Sequence, residues 1–477
     1  METIIKIIGE FLARDGRLVL AIGAFIFILY ALEVISKTED FLRLLTKIQP
    51  NSAQSHLDLG LHLEDDEPQE AESEIRQAIA LNPKLRSSYY ALAWLLLSQN
   101  DRLGDAQQTV KQMMELFPED AMVYTYQGIL FESQKSYAEA EKAYRKAIKT
   151  APSLSWPYLC LGNLLSDKTS NYVDAELAYK QAIKNNPTDS RNDFNLARVF
   201  ARTGRYTEAI GYFSSSIRKN PKYAPAHILL GRFLMATNRR GEAKETLLRA
   251  VKIQPKSAID ELNLGDLLRQ LKLFTEAENT YRRAIDKDPN LADAYNALGL
   301  FLNEEFNRNE EAERLYRQGL NINSDDRNLN YNLALLLRQT QREREAIPFL
   351  RQAVKADPKD FDSYMSLASI EKMRGDRKAF LEDAEKARPF IPSDDYYDLS
   401  CLENICDNKD LALQYLRKAA QQDEFDPVWA WRDPDLQSLR DDHLFAEIVG
   451  PQPDPDLEKQ IHESMRGSSG ETKPNKM

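Results

Sequence analysis

Prolines recur along this chain at a nearly constant spacing. Ten of them are separated by 33 to 35 residues, apart from one interval of 69 residues, which is two periods with Ser324 at its midpoint. They are Pro50, Pro83, Pro118, Pro152, Pro187, Pro221, Pro255, Pro289, Pro358 and Pro392. Such a period along most of a 477-residue chain argues against one large core. It predicts an array of small units, each burying its apolar surface against its neighbours.

The period at residues 256–289 shows what each unit contains. Leu264 and Leu268 in its first half recur at the step of one helix face. Ala277 and Tyr281 repeat that step in the second half. The unit is therefore predicted to be a helical hairpin, which is too small to bury its own apolar faces.

The boundaries of these two helices can also be predicted. A short break is expected around Lys272, and Thr275 followed by Glu278 forms a capping-box pattern that would start the second helix. Asp288-Pro289 would stop it, because a residue before proline avoids helical dihedral angles.

Small residues form two columns when the units are aligned on their prolines. Ten positions after each marker stand Gly60, Ala93, Gly128, Gly162, Ala197, Gly231, Gly265, Gly299, Ala334 and Ala368. Twelve positions before the next marker stand Ala71, Ala106, Ala140, Ala175, Ala209, Ala243, Ala277, Ala312 and Ala346. Small side chains allow helices to approach closely, and aromatic residues are expected to fill the space beside them: Tyr144, Tyr179, Phe213, Tyr281 and Tyr316.

This pattern resembles the tetratricopeptide repeat (TPR) over about residues 51–423. The resemblance implies an all-α fold, a right-handed superhelical solenoid of about eleven helix-turn-helix units. The tenth unit departs from the pattern at Phe380, where alanine is expected, and the eleventh is degenerate, with Tyr396 and Ala412 at recognisable positions.

The segment at residues 18–35 is strongly apolar and predicts a membrane anchor. Its 18 positions would span roughly 27 Å as a helix, close to the thickness of the bilayer hydrocarbon core. We predict a retained single-pass transmembrane helix in contact with the lipid bilayer. A short amphipathic segment at residues 1–17 precedes it, and a juxtamembrane connector at residues 36–50 follows. A cleaved signal peptide and a buried soluble helix are the alternatives.

The charges flanking this segment hardly distinguish its two orientations. Arg14 and Arg17 precede it, whereas Lys37, Arg43 and Lys47 follow it. The balance slightly favours a cytoplasmic N-terminus, which would place the repeat array on the non-cytoplasmic side.

After the array, residues 424–450 are predicted to form a C-terminal helical cap. Trp431, Leu436 and Phe445 are too apolar for a free tail, and a solenoid needs its last apolar face covered. This stretch also resembles the end module that follows TPR arrays in many bacterial proteins. Residues 451–477 are rich in charge, proline, glycine and serine and are expected to be disordered.

No pattern typical of catalysis or of metal binding occurs in the sequence. None of the five histidines forms a metal-binding pair at helical spacing, no glycine-rich phosphate loop is present, and the three cysteines make no CxxC pair. We therefore expect no enzyme activity, no cofactor, no metal and no small-molecule substrate. The net charge of -11 argues against general nucleic-acid binding.

The resemblance implies that the first helix of each unit lines a concave groove. Its second, fifth, sixth, ninth and thirteenth positions, here called the inner positions, would face that groove. The candidate partner-binding residues at these positions are Asn163, Arg191, Asn195, Arg198, Arg202, Arg232, Asn263, Asn296 and Asn332. Asn195, Asn263 and Asn332 are two units apart and could form a ladder along a peptide backbone. The alternative is that these asparagines serve the repeat itself.

The segment from Arg191 to Arg240 is unusually basic. It contains ten lysines and arginines and two acidic residues, a local charge of +8. Guanidinium groups bind carboxylates or phosphates in a bidentate manner, so an acidic peptide or an anionic group is expected to dock near units five and six.

Together these features predict a membrane-anchored TPR scaffold or adaptor that binds acidic or extended segments of protein partners in its groove. The alternative function is an assembly or regulatory subunit of a membrane-bound enzyme complex, such as envelope or polysaccharide machinery.

Overall fold

The computed structural model describes residues 39–99, 101–423 and 425–452. Regular secondary structure in these ranges is entirely helical, and none of the helices is long and apolar enough to cross a bilayer. The predicted segments at residues 1–17 and 18–35, and the tail from residue 453, lie outside the described residues. The chain divides into two compact units, which meet in sequence between Arg239 and Arg240.

The described part of the first unit contains helices α1 to α12. Their bounds are α1 Glu39–Ile48, α2 Ala53–Leu63, α3 Pro68–Leu81, α4 Arg86–Leu97, α5 Leu103–Leu116, α6 Ala121–Ser133, α7 Tyr137–Thr150, α8 Ser155–Asp167, α9 Tyr172–Asn185, α10 Ser190–Arg202, α11 Tyr206–Lys219 and α12 Ala224–Ala236.

The described part of the second unit contains helices α13 to α25 and two short 3-10 helices. The bounds are α13 Arg240–Ile253, α14 Ala258–Gln270, α15 Phe274–Lys287, α16 Ala292–Phe306, α17 Asn309–Ile322, α18 Arg327–Gln339, α19 Glu343–Ala356, α20 Phe361–Met373, α21 Arg377–Ala387, α22 Tyr396–Ile405, α23 Lys409–Ala419, α24 Pro427–Arg432 and α25 His443–Val449, with the 3-10 helices at Arg388–Phe390 and Pro434–Leu439.

Consecutive helices pack in pairs, and each pair is one predicted repeat. Repeats one to five are α2–α3 to α10–α11 in the first unit, and repeats seven to eleven are α14–α15 to α22–α23 in the second. In the sixth repeat, α12 is the last helix of the first unit and α13 is the first helix of the second. The predicted all-α solenoid of paired helices is confirmed.

The turn inside most repeats contains one residue with a left-handed backbone. These residues are Lys135, Ser170, Gly204, Asn238, Lys272, Asn307, Gln341, Gly375 and Asp407. At Lys272 the φ angle is 59°, which confirms the predicted break. The predicted capping box is wrong, because α15 begins at Phe274 and its N-cap, Leu273, makes no side-chain hydrogen bond. Glu278 instead pairs with Arg282 and Arg308.

Close packing of the two helices of a repeat depends on the small residue of the first helix. A Cβ atom added to Gly162 would lie 2.6 Å from Cε1 of Tyr179, and one added to Gly265 would lie 2.6 Å from Cε1 of Tyr281. Both tyrosines are almost completely buried. The aromatic ring of the second helix therefore occupies the space that the missing side chain leaves, as the sequence predicted.

Successive repeats are also joined by a row of arginines. Each arginine is the N-cap residue of a second helix, and it pairs with a glutamate of the preceding second helix. The pairs are Arg102–Glu72 at 3.0 Å, Arg205–Glu176 at 2.7 Å, Arg308–Glu278 at 2.8 Å and Arg342–Glu313 at 2.7 Å. This regular link between repeats was not predicted.

The two ends of the array are covered by additional helices. Helix α1, within the predicted connector, buries Leu42, and its Arg43 pairs with Glu67 and Glu70 of the first repeat. At the other end, the C-terminal module formed by residues 427–449 buries three apolar side chains against α22 and α23, namely Leu436, Leu439 and Phe445.

The tenth repeat accommodates its irregular residue inside the core. Phe380 is buried in a cluster with Met365 and Leu402, although alanine is usual at its position. Its helix, α21, has 11 residues, whereas α19 has 14, and a 3-10 turn follows it directly.

The contact between glycine and tyrosine can be tested by adding one methyl group. Gly162→Ala should lower the free energy of unfolding by about 1–3 kcal/mol, because the new Cβ overlaps the ring of Tyr179. Gly211→Ala is the matched control, since Gly211 is an exposed residue of helix α11 and no atom lies near a Cβ added there. It should stabilise the protein by about 0.5–1 kcal/mol through helix propensity. Thermal unfolding followed by circular dichroism measures both. Equal effects of the two substitutions would contradict this account.

Candidate functional site

A cavity of about 480 Å³ lies at the inner positions of repeats two to five. This volume is within the range of roughly 300–1,000 Å³ typical of ligand sites. Helices α4, α6, α8 and α10 contribute most of its wall. Three of the nine predicted site residues line it together: Asn163, Arg191 and Asn195.

Arg191 is oriented by the residue that starts its helix. Asp189 is the N-cap of α10 and accepts a hydrogen bond of 3.0 Å from the backbone N–H of Arg191. The same carboxylate also accepts hydrogen bonds from Nε and Nη2 of the guanidinium, and the bond from Nη2 is 2.7 Å long. This pairing lowers the pKa of Asp189 and raises the pKa of Arg191. The guanidinium is therefore fixed beside the cavity but already carries a counter-ion.

The two asparagines are each held by one hydrogen bond. Asn163 accepts a hydrogen bond of 2.8 Å from the hydroxyl of Tyr179, the tyrosine that packs against Gly162. Asn195 accepts a hydrogen bond of 3.2 Å from Nη1 of Arg198. In both residues the oxygen is engaged within the protein, so the side-chain amide retains donors that can face the cavity.

Arg198 and Arg202 share one acceptor in the preceding repeat. Asp167, at the end of α8, lies 3.2 Å from Nη2 of Arg198 and 2.6 Å from Nη1 of Arg202. Arg202 also donates to the hydroxyl and backbone carbonyl of Ser166. The local charge of +8 counted along the sequence is thus partly balanced in space by Asp167, Glu176 and Asp189, which precede that window.

The remaining predicted residues lie elsewhere. Arg232 is exposed on α12 and is not part of the wall of this cavity. In the second unit, Asn263 donates to the carbonyl of Ile259 at 2.9 Å, on its own helix. Asn332 donates to Asn296 at 2.8 Å, which joins repeats eight and nine. These two asparagines therefore contact each other across neighbouring repeats, and the predicted ladder of Asn195, Asn263 and Asn332 along a peptide backbone stays a prediction.

Sequence reasoning missed the aromatic part of the cavity. Trp94, Trp156 and Tyr223 line it, and the side chain of Trp94 is 48% exposed. Trp94 stands at the ninth position of the first helix of its repeat, and Trp156 stands at the second position of its own. Both are inner positions. The spacing of inner positions that predicts the asparagines also includes these two tryptophans, whereas the prediction named polar residues alone.

Two ionisable groups of the cavity, Glu132 and Cys160, have raised pKa values. Glu132 is half-buried, and burial raises its pKa while it accepts 3.0 Å from the hydroxyl of Tyr144. Burial also raises the pKa of the Cys160 thiol, so this cysteine stays protonated and is a poor nucleophile. Across the described residues, no cluster of histidine, cysteine and acidic residues could hold a metal ion.

A second cavity, of about 430 Å³, lies in the second unit. Inner positions of repeats nine and ten, helix α22 and the C-terminal module form its wall. Six aspartates and a single arginine, Arg338, line it. The aspartates are Asp362, Asp395, Asp398, Asp426, Asp433 and Asp435.

The pKa values of two of these aspartates are strongly raised. The pKa of Asp398 is raised to about 8, chiefly by burial and then by the neighbouring charge of Asp395. The pKa of Asp433 is raised to about 6, again by burial first and then by Asp435. At neutral pH Asp398 therefore retains a proton that an ordinary aspartate would have lost, whereas Asp433 retains its proton only in mildly acidic solution.

Comparison with known families identifies the repeat. Models of the tetratricopeptide repeat match residues 90–155, 167–224, 200–263 and 328–360, and a TPR repeat model matches residues 265–303. The paired helices and these matches define the class of α-helical repeat scaffolds for protein interaction. The chain is a tetratricopeptide repeat protein.

The chain is similar to several known proteins over part of its length. A stretch of 125 residues is 30% identical to Protein O-mannosyl-transferase Tmtc3 of Drosophila melanogaster, and covers 24% of this chain and 13% of that protein. The human IFIT1 dimer with PPP-AAAA has 17% identity over 76% of this chain and 89% of that chain, with a TM-score of 0.45. The APC/C hetero-tetramer Cut9–Hcn1 has 16% identity over 66% and 63%, with a TM-score of 0.43.

The shifted aspartates predict a pH dependence of stability. A carboxyl whose pKa is raised in the folded state stabilises the fold while it is protonated. Its contribution to the free energy of unfolding is therefore complete below the ordinary aspartate pKa of 3.8. It is lost progressively as pH rises above that value, and the loss is complete near pH 6 for Asp433 and near pH 8 for Asp398. The melting temperature of the second unit should therefore fall between about pH 4 and pH 8 and change little from this cause above pH 8.

Asp398→Asn separates this effect from general alkaline destabilisation. Asparagine resembles the protonated carboxyl in shape and carries no charge, so the variant should melt higher than the parent at pH 8.5 and show a flatter pH profile. Asp286→Asn, at an exposed position of α15, is the control and should follow the parent. A parent profile retained in the Asp398 variant would rule out this carboxyl as the origin.

Proposed function

We propose that this protein is a membrane-anchored TPR scaffold or adaptor that binds acidic or extended segments of partner proteins in its groove. The observation that supports this most strongly is the first-unit cavity. It combines the amides of Asn163 and Asn195, the guanidinium of Arg191 and two tryptophans at inner positions. The proposal involves recognition only and no catalytic step.

The chemistry of this cavity suits an extended polypeptide. An asparagine amide can donate to a backbone carbonyl that has no partner in its own chain. Trp94 and Trp156 offer broad apolar faces, and large aromatic residues dominate the binding energy of many protein interfaces. A bulky partner side chain would cover the exposed part of Trp94 and remove it from water.

The contribution of acidic partner residues is expected to be smaller than the sequence alone suggested. Asp189 already neutralises Arg191, and Asp167 is shared by Arg198 and Arg202, so it compensates one of their two charges. A partner carboxylate would have to compete with these internal acids or share their arginines. We therefore propose that the amides and aromatic rings select the partner, and that its charge adjusts the affinity.

The proposed anchor is the apolar segment at residues 18–35, with the repeat array on the non-cytoplasmic side. Its length and the close succession of α1, which begins at Glu39 and packs on the first repeat, support this proposal. Because so few residues separate the anchor from α1, the first repeat would lie close to the bilayer surface.

Binding in the first-unit cavity can be tested with matched pairs of variants. A photo-crosslinking amino acid at position 94 should capture the partner in intact cells, and the captured segment can then be synthesised. Arg191→Ala and Asn195→Ala should each weaken its binding by about threefold to tenfold, the loss of one hydrogen-bonding group. Fluorescence anisotropy with the purified full-length protein measures this.

Arg145→Ala is the control for Arg191→Ala. Arg145 is on a second helix and is 58% exposed, against 61% for Arg191, and it pairs with Glu141 at 2.8 Å much as Arg191 pairs with Asp189. Its replacement should not change the affinity. If the two arginine variants bind equally well, the first-unit cavity is not the binding site.

Membrane attachment requires a separate experiment. The full-length protein should sediment with membranes and resist alkaline carbonate extraction, because a spanning helix is not released by charge. The chain without residues 1–35 should appear in the soluble fraction with an unchanged circular dichroism spectrum. Extraction of the full-length protein by carbonate would contradict the anchor, and would leave the cavity experiment unaffected.

A further inference from the structure

The walls of the second-unit cavity combine two kinds of group. Four aromatic rings contribute to it, Tyr331 from α18, Tyr397 from α22, Phe425 and Trp429, next to the six aspartates. Trp429 is 40% exposed, so part of an aromatic face remains accessible to solvent. Aromatic faces and carboxylates both attract organic cations, the first through the ring quadrupole and the second through charge.

Four of the six aspartates already have partners that account for them. Asp435 binds Arg338 at 2.7 Å, and Asp362 lies 3.3 Å from Nη2 of Arg327. Asp426 accepts from the backbone N–H of Val428. Asp433 accepts 2.8 Å from the hydroxyl of Tyr397.

Asp395 and Asp398 are two neighbouring carboxyls. Asp395 is the N-cap of α22 and accepts the backbone N–H of Asp398 at 3.2 Å, and its carboxyl also faces that of Asp398. No lysine or arginine of the described chain forms an ion pair with either residue. Three other N-cap aspartates of first helices each pair with an arginine, namely Asp120, Asp189 and Asp360, so a positive charge is present there and not at Asp395.

The same wall shows how it accommodates a guanidinium. Arg338 is almost completely buried and donates to the hydroxyls of Ser366 and Ser369 as well as to Asp435. Arg327 lies over the ring of Tyr331, 5.4 Å from its centroid. Carboxylate and ring contacts to arginine are thus already part of this surface.

We propose that the second-unit cavity binds a lysine or arginine side chain of a partner protein, with its charge at the carboxylates of Asp395 and Asp398 and its aliphatic stem along Trp429 and Phe425. This site differs from the first-unit cavity in position and in the sign of the charge it selects. A bound metal ion would not explain the aromatic wall, and no metal-binding cluster occurs among the described residues.

Entry of the cation displaces the proton that the raised pKa of Asp398 retains at neutral pH. The positive charge then compensates both carboxylates, which removes their mutual repulsion. The gain is larger than at an exposed aspartate because the site is partly shielded from water.

The four tryptophans of the chain allow a direct test. The full-length protein is purified in detergent with 5-fluorotryptophan, and each ¹⁹F signal is assigned by replacing one tryptophan with phenylalanine. N-acetyl-arginine amide and N-acetyl-lysine amide are the probes, and N-acetyl-citrulline amide is the neutral analogue. Arginine and lysine should shift the Trp429 signal in a saturable manner, whereas Trp94 and Trp156, in the first-unit cavity, should not respond.

Two variants make the result decisive. Asp398→Asn should weaken binding of both cations by about tenfold or more, the loss of one charged hydrogen bond, and it removes a repulsion rather than a structural contact. Asp286→Asn changes the net charge equally at an exposed site of the same unit and should bind like the parent. Equal shifts with citrulline, or unchanged affinity in the Asp398 variant, would overturn the proposal.

Discussion

In four repeats a tyrosine ring of the second helix fills the space beside a glycine of the first helix, and this contact sets the geometry of the helix pair; the glycines are Gly128, Gly162, Gly265 and Gly299. Because the ring fills the space beside glycine, the two helices have one close distance and one rotation about each other. The same tyrosines extend their hydroxyls past the glycine to a residue at or beside the inner positions. This happens in three repeats, through Tyr144 with Glu132, Tyr179 with Asn163 and Tyr281 with Asp266. Core packing and the position of possible partner-binding residues therefore have a common origin.

The two cavities differ because different acids surround them. In the first unit, the arginines of α10 find their acceptors at the end of α8 and in the turn before α10, so the surface is less basic than the sequence suggests. In the second unit, the C-terminal module and its N-cap residue Asp426 add Asp426, Asp433 and Asp435 to a wall that already holds three aspartates. A module that covers the apolar end of the array thereby also determines the electrostatic potential of its last repeats.

Much of the fold was predictable because it follows from a local rule repeated many times. The prolines, the small residues and the break near Lys272 depend on the dihedral angles and packing of one hairpin. The site was only partly predictable: Asn163, Arg191 and Asn195 do share a cavity, whereas the balance of charge at Arg198 required the position of Asp167. The pair Arg338–Asp435 joins residues 97 positions apart. No local pattern indicates such a contact, since it depends on how the last module docks.

The row of N-cap arginines limits how this array can change in length. Each of the four arginines takes its acceptor from the repeat before it, and repeat eight, with Arg308 and Glu313, carries half of two different ion pairs. A duplication of repeat eight would bring its own arginine and its own glutamate, and both pairs would form again. Replacement of repeat eight by an unrelated repeat would instead leave a charge without its partner on each side. Inheritance by duplication is thus physically easier here than exchange between unlike repeats.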